Sequence, residues 1–428
     1  MIRIRLLVVL TMVMAACTAP APLPPPTVTT TTTTTPVPST TVAETPALVV
    51  PARPFPQHVD YPASHIAPSA TSIDADTRRF YDFWKEHYLV GLDSGQAHPK
   101  GGERRSGATV SEGQGYAMMI VALMGGYDLE AQQLFDALWS YAREHPSDID
   151  KHLMKAMQVP DRGMSGSVFG GDVSIAYALL LADRQWGSDG AVDYKVEARV
   201  LIRAIEKSTI GPTSHLPLLG DWVDPTGAVY NEQTVRISDI MPDHFAAFGR
   251  FTSDSLWDKT AKASKGEIAA LEAKWSRLTG LMPGFAVAGR NGAPRPAPAG
   301  YLMGPADGAF GNTAARYPLW VGTHALTSDD PFWRNRMLKL SHWASAIADG
   351  DPLSLNSGYE LDGRPLDADA GFSVLFGGPL AVAAMVNTDQ QPWIDALYSA
   401  IRARHEGYYE DSVALISLLV LGGNWWSP

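Results

Sequence analysis

The stretch SEGQGYAMM, residues 111–119, places one carboxylate ahead of a long apolar run. Ser111 can cap the helix that this run predicts, because its hydroxyl can accept a hydrogen bond from a free backbone N–H at the helix start. Glu112 then lies in the first turn, on the same face as Tyr116 four residues later. The two glycines cost a helix roughly 1 kcal/mol each relative to alanine, so they indicate that another element packs close to this backbone. The alternative for Glu112 is a carboxylate favoured only by the helix dipole.

Apolar residues recur at helical spacing along the rest of the chain, whereas strand-like alternation is rare and short. This spacing predicts helices over 74–88, 111–124, 129–144, 172–185, 194–207, 239–252, 255–275, 314–326, 331–349, 370–386, 391–404 and 411–421. Twelve helices without a sheet between them predict an all-α fold of antiparallel pairs, which could close into a ring.

The first 17 residues are typical of a secretory lipoprotein signal. Arg3 and Arg5 form a short positive region, and the apolar stretch over 6–14 is too short to span a bilayer. Two alanines then precede Cys17, the only cysteine of the 428 residues. The prediction is a lipid-modified N-terminus at Cys17 after cleavage, and the alternative is an unmodified thiol in an ordinary signal peptide. A single cysteine leaves the domain without an internal disulfide.

Residues 18–56 are mostly Thr, Pro, Ala and Val, a composition that cannot build a core and predicts a semi-extended tether. One folded domain is predicted over 57–428. The chain has 45 acidic and 34 basic residues, a net charge of −11, which argues against nucleic acid or an anionic membrane surface as a partner. The predicted partner is a polysaccharide, the predicted membrane contact is the N-terminal anchor alone, and the protein is predicted to be a monomer.

The chemistry that the sequence offers is carboxylate chemistry. Loops and helix starts are rich in aromatic and acidic residues, as in Gly220-Asp221-Trp222. Trp222 is predicted to bind substrate, because an indole in such a loop could stack on a sugar ring. No spacing of His or Cys resembles a zinc site, and neither a phosphate loop nor a Gly-x-Ser-x-Gly elbow is found. No metal and no cofactor are therefore predicted.

Six segments occur in order along the chain. They are SEGQGY at 111–116, DVSIAYALLLA at 172–182 followed by Trp186, Ser238-Asp239 with MPDHF at 241–245, ARYP at 315–318, GYELDG at 358–363 and YYED at 408–411. These segments resemble the signature motifs of glycoside hydrolase family 8, the bacterial endoglucanase family. The resemblance extends over most of 80–428 and implies an (α/α)6 barrel, in agreement with the helix count.

The resemblance implies an inverting enzyme with Glu112 as its general acid. In an inverting pair, one carboxylic acid protonates the leaving oxygen while a carboxylate roughly 6.5–9.5 Å away activates water. A helix start lowers a carboxyl pKa, so burial or a neighbouring carboxylate must raise that of Glu112. Asp172 is the predicted catalytic neighbour, against the sugar at the cleavage point, with an N-cap for its own helix as the alternative. Tyr116, Asp239 and Arg316 are predicted to bind substrate.

The chain departs from the family's pattern at two positions. Gly170 stands where the family signature has an aspartate, two residues before Asp172. Thr313 stands where the family has its usual base, and a threonine cannot act as a base near neutral pH. Asp307 is the first predicted replacement as a catalytic base, and the next candidates are Asp243, Asp239 and Asp221.

The sequence therefore predicts an exported, inverting endo-glycoside hydrolase that cuts a β-1,4-linked glucan or a related polysaccharide. The alternative is a glycan-binding protein on the same scaffold, with a degraded catalytic pair. A third hypothesis is a hydrolase for a different polysaccharide of the cell envelope.

Overall fold

The computed structural model describes residues 50–100, 109–158, 164–289 and 291–428. The predicted signal segment, Cys17 and the tether up to residue 49 lie outside these residues. None of the helices in the described part combines the length and the hydropathy needed to cross a bilayer.

The folded domain begins before residue 57, where the sequence placed its start. The Phe55 N–H donates to the Gly125 carbonyl at 2.8 Å, and the Phe55 side chain is buried. The Ala52 N–H likewise donates to the Gln185 carbonyl at 2.8 Å. These long-range backbone bonds hold a proline-rich segment against the helices, and its composition gives no sign of them.

Twelve α-helices lie within the described residues, and each overlaps one predicted helix. In chain order they are α1 Ile73–Tyr88, α2 Ser111–Leu123, α3 Ala131–Glu144, α4 Phe169–Trp186, α5 Tyr194–Ser208, α6 Pro242–Thr252, α7 Leu256–Trp275, α8 Tyr317–Ser328, α9 Pro331–Ile347, α10 Val374–Ala384, α11 Gln391–Ile401 and α12 Tyr408–Leu421. Bounds differ where local chemistry decides them. Helix α10, for example, starts four residues after its predicted start, because the Ser373 side chain caps it by accepting the Leu375 N–H.

The even-numbered helices form a closed inner ring, in which α2 packs on α4, α4 on α6, α6 on α8, α8 on α10, α10 on α12 and α12 on α2. Each odd-numbered helix packs outside this ring, with α1 on α12, α3 on α2, α5 on α4, α7 on α6, α9 on α8 and α11 on α10. This arrangement is the (α/α)6 barrel, so the predicted fold class is confirmed.

Burial explains which helices are inside. Every residue of α10 is buried, and in α12 every residue except Glu410. A helix that is apolar on all sides is stable only when neighbours surround it. Helix α1 instead buries Phe80, Tyr81 and Trp84 along one stripe and directs most of its charges elsewhere, as an outer helix must.

Glycine allows two inner helices to approach closely, as the sequence indicated. A Cβ on Gly115 of α2 would lie 2.5 Å from the Cβ of Ser174 on α4. No side chain fits in that distance, so Gly115 fixes the spacing of these two helices and hence the relative position of their N-terminal ends.

Within the described residues, three small antiparallel sheets lie between the helices. Strand β1 Leu89–Gly91 pairs with β2 Ala97–Pro99, β3 Thr109–Val110 with β4 Lys155–Gln158 and β4 with β5 Met164–Ser167, and β6 Val235–Arg236 with β7 Phe285–Ala288 and β7 with β8 Pro294–Pro296. Strand β3 runs directly into α2, and β6 runs into the short 3-10 turn Ile237–Asp239 ahead of α6. These sheets therefore set where α2 and α6 begin.

Candidate active site

A cleft of about 470 Å³ opens where several inner helices begin. Glu112 from the first turn of α2, Arg236 from β6, Arg316 just before α8 and Tyr409 from α12 all border it. Helix N-termini carry partial positive charge, so their convergence favours anionic groups and developing negative charge in this cleft.

Glu112 is held by two arginines. Its Oε1 accepts a hydrogen bond from Arg316 Nη2 at 2.9 Å and lies 3.4 Å from Arg236 Nη1. The Glu112 side chain is 16% exposed, so it reaches the cleft, while the two arginines balance its negative charge. Helix α2 begins at Ser111 itself with Val110 as its N-cap and no side-chain cap, so the predicted serine cap is wrong. The Ser111 side chain instead packs against Gly171 of α4.

Asp239 lies beside Glu112, at the end of the 3-10 turn that precedes α6. It is 1% exposed, and neither carboxylate oxygen accepts a hydrogen bond from the described residues. Its nearest cation is Arg236, whose Nη1 lies 3.9 Å from Oδ2. Burial raises the pKa of Asp239 to about 7, partly offset by Arg236 and reinforced by the charge of Glu112. Asp239 was predicted to bind substrate, but it lies behind the residues that border the cleft.

Arg316, which was predicted to bind substrate, borders the cleft and contacts the predicted acid. Burial opposes its charge, but the surrounding tyrosines and carboxylates hold its pKa above the usual range. Its guanidinium lies 5.4 Å from the centre of the Tyr409 ring, a cation–π distance. Tyr116 is 1% exposed and packs its ring against Tyr409 and Trp320. Tyr116 therefore packs behind the residues that line the cleft and does not itself border it.

Asp172 is fully buried and does not border the cleft. Its Oδ1 accepts the Met154 N–H at 2.8 Å, so it fastens the loop before β4. Burial raises its pKa well above the usual range. Helix α4 starts at Phe169 with Val168 as N-cap, which places Asp172 inside the helix and rules out the alternative N-cap role.

Asp307 borders the cleft, but its carboxylate is engaged by the adjacent loop. Oδ2 accepts the N–H groups of Leu302 at 2.7 Å and Met303 at 3.0 Å. Oδ1 accepts those of Gly304 at 3.1 Å and Met303 at 3.3 Å. Three backbone N–H groups, one of them shared between both oxygens, therefore engage most of the roughly four lone-pair sites that a carboxylate offers. The structure thus supports a loop-fastening role for Asp307 and gives no support to the predicted base.

Two of the remaining candidates for the base are also engaged within the protein. Asp221 accepts the Ser167 N–H at 2.7 Å and the Ser147 hydroxyl at 2.5 Å. Asp243 accepts hydrogen bonds from three side chains, those of the buried Tyr177 and Trp425 and of the half-buried Thr327. Burial opposes ionisation of Asp243, but the nearby histidine His324 holds its pKa well below the usual range. Both carboxylates therefore stabilise the fold around the cleft.

Trp222 borders the cleft, as predicted for a sugar-stacking side chain. Its ring is partly exposed and meets the Tyr230 ring edge-on, with 5.4 Å between the ring centres.

Arg236 borders the cleft, and the sequence analysis did not predict it. The signal for it was its place directly before Ile237-Ser238-Asp239, a segment already singled out for its acid. Within the described residues, no three His, Cys, Asp or Glu side chains converge into a metal-binding group.

The family model for glycosyl hydrolases family 8 matches residues 55–331. The chain belongs to this family. A beta-glucanase of Niallia circulans is 34% identical over 388 residues, which cover 89% of this chain and 93% of that protein. An endoglucanase of Bacillus sp. strain KSM-330 is 32% identical, with 91% of this chain and 85% of that protein covered.

A solved structure gives the same result for the fold. The apo beta-1,3-1,4-glucanase from Paenibacillus sp. X4 superposes with a TM-score of 0.84 at 34% identity, covering 88% of this chain and 99% of that one. The names of these relatives are those of glucan-cutting enzymes, and the chain described here is a member of the same glycoside hydrolase family. The comparisons lend no support to a purely glycan-binding protein.

Proposed function

We propose that the chain is an inverting endo-glycoside hydrolase that cuts a β-1,4-linked glucan or a mixed-linkage relative of it. The observation that carries the proposal is the position of Glu112, which reaches the cleft from the first turn of α2 and touches two arginines. A protonated Glu112 can give its proton to the leaving oxygen, and the arginines then stabilise the carboxylate that remains. The glucan specificity is supported by relatives whose names are beta-glucanase, endoglucanase and beta-1,3-1,4-glucanase.

The cleft suits a neutral sugar polymer. Trp222 supplies an aromatic surface at its border, and Leu302, Met303 and Leu366 supply apolar ones. Sugar rings present apolar faces that stack on such surfaces, while their hydroxyls need a few polar groups for orientation.

The water-activating carboxylate is sought among the acids that border the cleft. Within the described residues these are Glu112, Asp307 and Glu410. Asp307 is fastened to its loop, whereas Glu410 accepts no hydrogen bond from the described part of the chain. Matched Asp307→Asn and Glu410→Gln variants are each assayed for kcat. The role belongs to the acid whose replacement lowers kcat as much as Glu112→Gln does.

The test of the proposal is a reducing-sugar assay on barley β-glucan, carboxymethyl-cellulose and xylan, with the anomer of the first product followed by NMR. New chain ends of inverted configuration, produced together with a rapid loss of viscosity, are expected. Binding without new chain ends on any of the polymers would favour the glycan-binding alternative. The same assay on purified cell-envelope polysaccharide addresses the third hypothesis, which new chain ends from that polymer alone would favour.

We further propose that the enzyme is exported and held at the outer face of the cell membrane by lipid on Cys17, and that it acts as a monomer. The lipoprotein-like segment up to Cys17 and the Thr/Pro-rich segment after it support this placement. A tether of this kind would let the cleft reach a polymer outside the cell.

A further inference from the structure

Gly170, in the first turn of α4, marks the point where two carboxylates meet. A Cβ at residue 170 would lie 2.6 Å from Asp239 Oδ1 and 3.2 Å from Glu112 Oε1. The first distance is shorter than any real Cβ contact, so even an alanine here would displace the Asp239 carboxylate. Asp239 therefore occupies the space into which a side chain at residue 170 would project.

Asp239 is an unusual acid for the floor of a cleft. It is 1% exposed and accepts no hydrogen bond within the described residues. A buried carboxylate without hydrogen bonds costs several kcal/mol of stability by order of magnitude, and such groups call for an explanation other than folding. Four charged or titratable groups face the Glu112–Asp239 pair, namely Arg236 from β6, Arg316 from the start of α8, Tyr116 from α2 and Tyr409 from α12.

Glu112 needs a neighbour of this kind if it is to donate a proton. Two arginines and the positive end of α2 all favour its ionised form. A second carboxylate beside it repels that ionised form and lets the pair retain one proton. Burial and the charge of Glu112 both raise the pKa of Asp239, as expected if the two carboxylates share one proton.

We propose that Asp239 is a positioning residue that keeps the acidic proton available to Glu112, and that Gly170 is the residue that gives Asp239 its place. The inference rests on the proposed function of Glu112 as the acid. Asp239 acts through Glu112 and Arg236 and does not itself touch the polymer, because it lies behind the cleft lining.

The pH dependence of kcat/KM tests the proposal. Asp239→Asn keeps the size of the side chain but removes the charge, so we expect the alkaline limb of the profile to move about one unit to lower pH. At pH values above that limb, kcat/KM should then be roughly 10-fold lower than in the wild type. Gly170→Ala should shift the limb in the same direction, because its Cβ displaces Asp239. The double variant Gly170→Asp/Asp239→Ala moves the carboxylate from the turn before α6 to the first turn of α4. We expect it to return the alkaline limb to its wild-type position.

Two controls separate this mechanism from structural damage. Gly266→Ala changes another helical glycine, on α7, whose added Cβ meets nothing within 4 Å, and it should leave the profile unchanged. Thermal unfolding of each variant reports whether it is folded. If Asp239→Asn lowers kcat equally at all pH values, or if the double variant fails to restore the limb while remaining folded, the proposal is wrong.

A readout without turnover keeps the proposal separate from the proposed function. Carbon-13 NMR of protein labelled at the side-chain carboxyl carbons follows the titration of Glu112, whose resonance is identified by its loss in Glu112→Gln. Asp239→Asn is expected to lower the midpoint of that titration. An unchanged midpoint would overturn the inference even in an active enzyme, whereas a lowered midpoint in a protein that cuts no glucan would leave it standing and refute the proposed function.

Discussion

Arg316 Nη2 lies 2.9 Å from Glu112 Oε1 and equally 2.9 Å from the Ser238 hydroxyl. One guanidinium thus joins the start of α2, the start of α8 and the turn before α6. The same group prepares the site for the charge that appears when Glu112 gives up its proton. A preorganised cation of this kind costs no reorganisation during the reaction, so Arg316 links the geometry of the barrel to the proposed chemistry.

The first prediction concerns Glu112. Glu112→Gln removes the proton donor and keeps the size and polarity of the side chain, so kcat on β-glucan is expected to fall by at least about 1000-fold. The melting temperature should change by only a few degrees, because the amide oxygen can still accept from Arg316. The measurement is the reducing-sugar rate beside a thermal melt. A variant with near wild-type activity would remove Glu112 from the acid role.

The fold was predictable because the helical signal is strong. All twelve predicted helices were found, since long apolar runs such as that of α2 have few other stable arrangements. The sheets were missed because their strands have two to four residues each, too short for a visible alternation. The early start of the domain, at Phe55 and before, depends on backbone bonds to distant residues, which composition cannot reveal.

The site was predictable only in part. Glu112, Arg316 and Trp222 border the cleft as predicted. Asp172 also lies in a motif that resembles the family signature, but its carboxylate faces the Met154 backbone and not the cleft. A shift of one residue along a helix turns a side chain to a different face, so the motif alone cannot tell which face a carboxylate occupies. Arg236 was missed because its contact with Glu112 spans 124 residues of sequence.

The second prediction concerns Asp307. In Asp307→Asn the amide nitrogen faces backbone N–H donors, so the loop over 302–304 should loosen and the position of Met303 in the cleft should become less defined. We expect KM to rise several-fold while kcat stays within about 30-fold of wild type, well short of the loss expected of a base. Steady-state kinetics on soluble β-glucan make the measurement.

Asp307→Ala with added azide provides the contrasting experiment. Azide is an anionic nucleophile that needs no base, so it can attack the anomeric carbon in place of the activated water, but it cannot refasten a loop. If the alanine variant is as inactive as Glu112→Gln and azide restores turnover with a glycosyl azide as product, the base role returns to Asp307.

The third prediction concerns the anchor. Cys17 is the only cysteine of the chain, so Cys17→Ser is expected to move the enzyme from the membrane fraction to the medium or the soluble envelope fraction. Mass spectrometry of the wild-type N-terminus should find a lipid on Cys17. Wild-type protein that is cleaved but carries no lipid would contradict the prediction and favour an ordinary signal peptide.

The last prediction uses the pH dependence of stability. Asp239 has its pKa raised from 3.8 to about 7, so between these pH values the folded protein binds more protons than the unfolded chain. The free energy of unfolding contributed by this group therefore decreases as the pH rises through that window, and the full cost of the buried charge is present above it. Asp239→Asn has no charge to bury and should escape this loss. We expect the variant to gain stability relative to wild type between pH 4 and pH 8, on the order of 4 kcal/mol for a rise of about three pKa units at about 1.4 kcal/mol per unit. The measurement is urea unfolding at pH 4, 6 and 8. A constant difference between the two proteins across this range would mean that Asp239 remains ionised throughout and that the two arginines outweigh its burial.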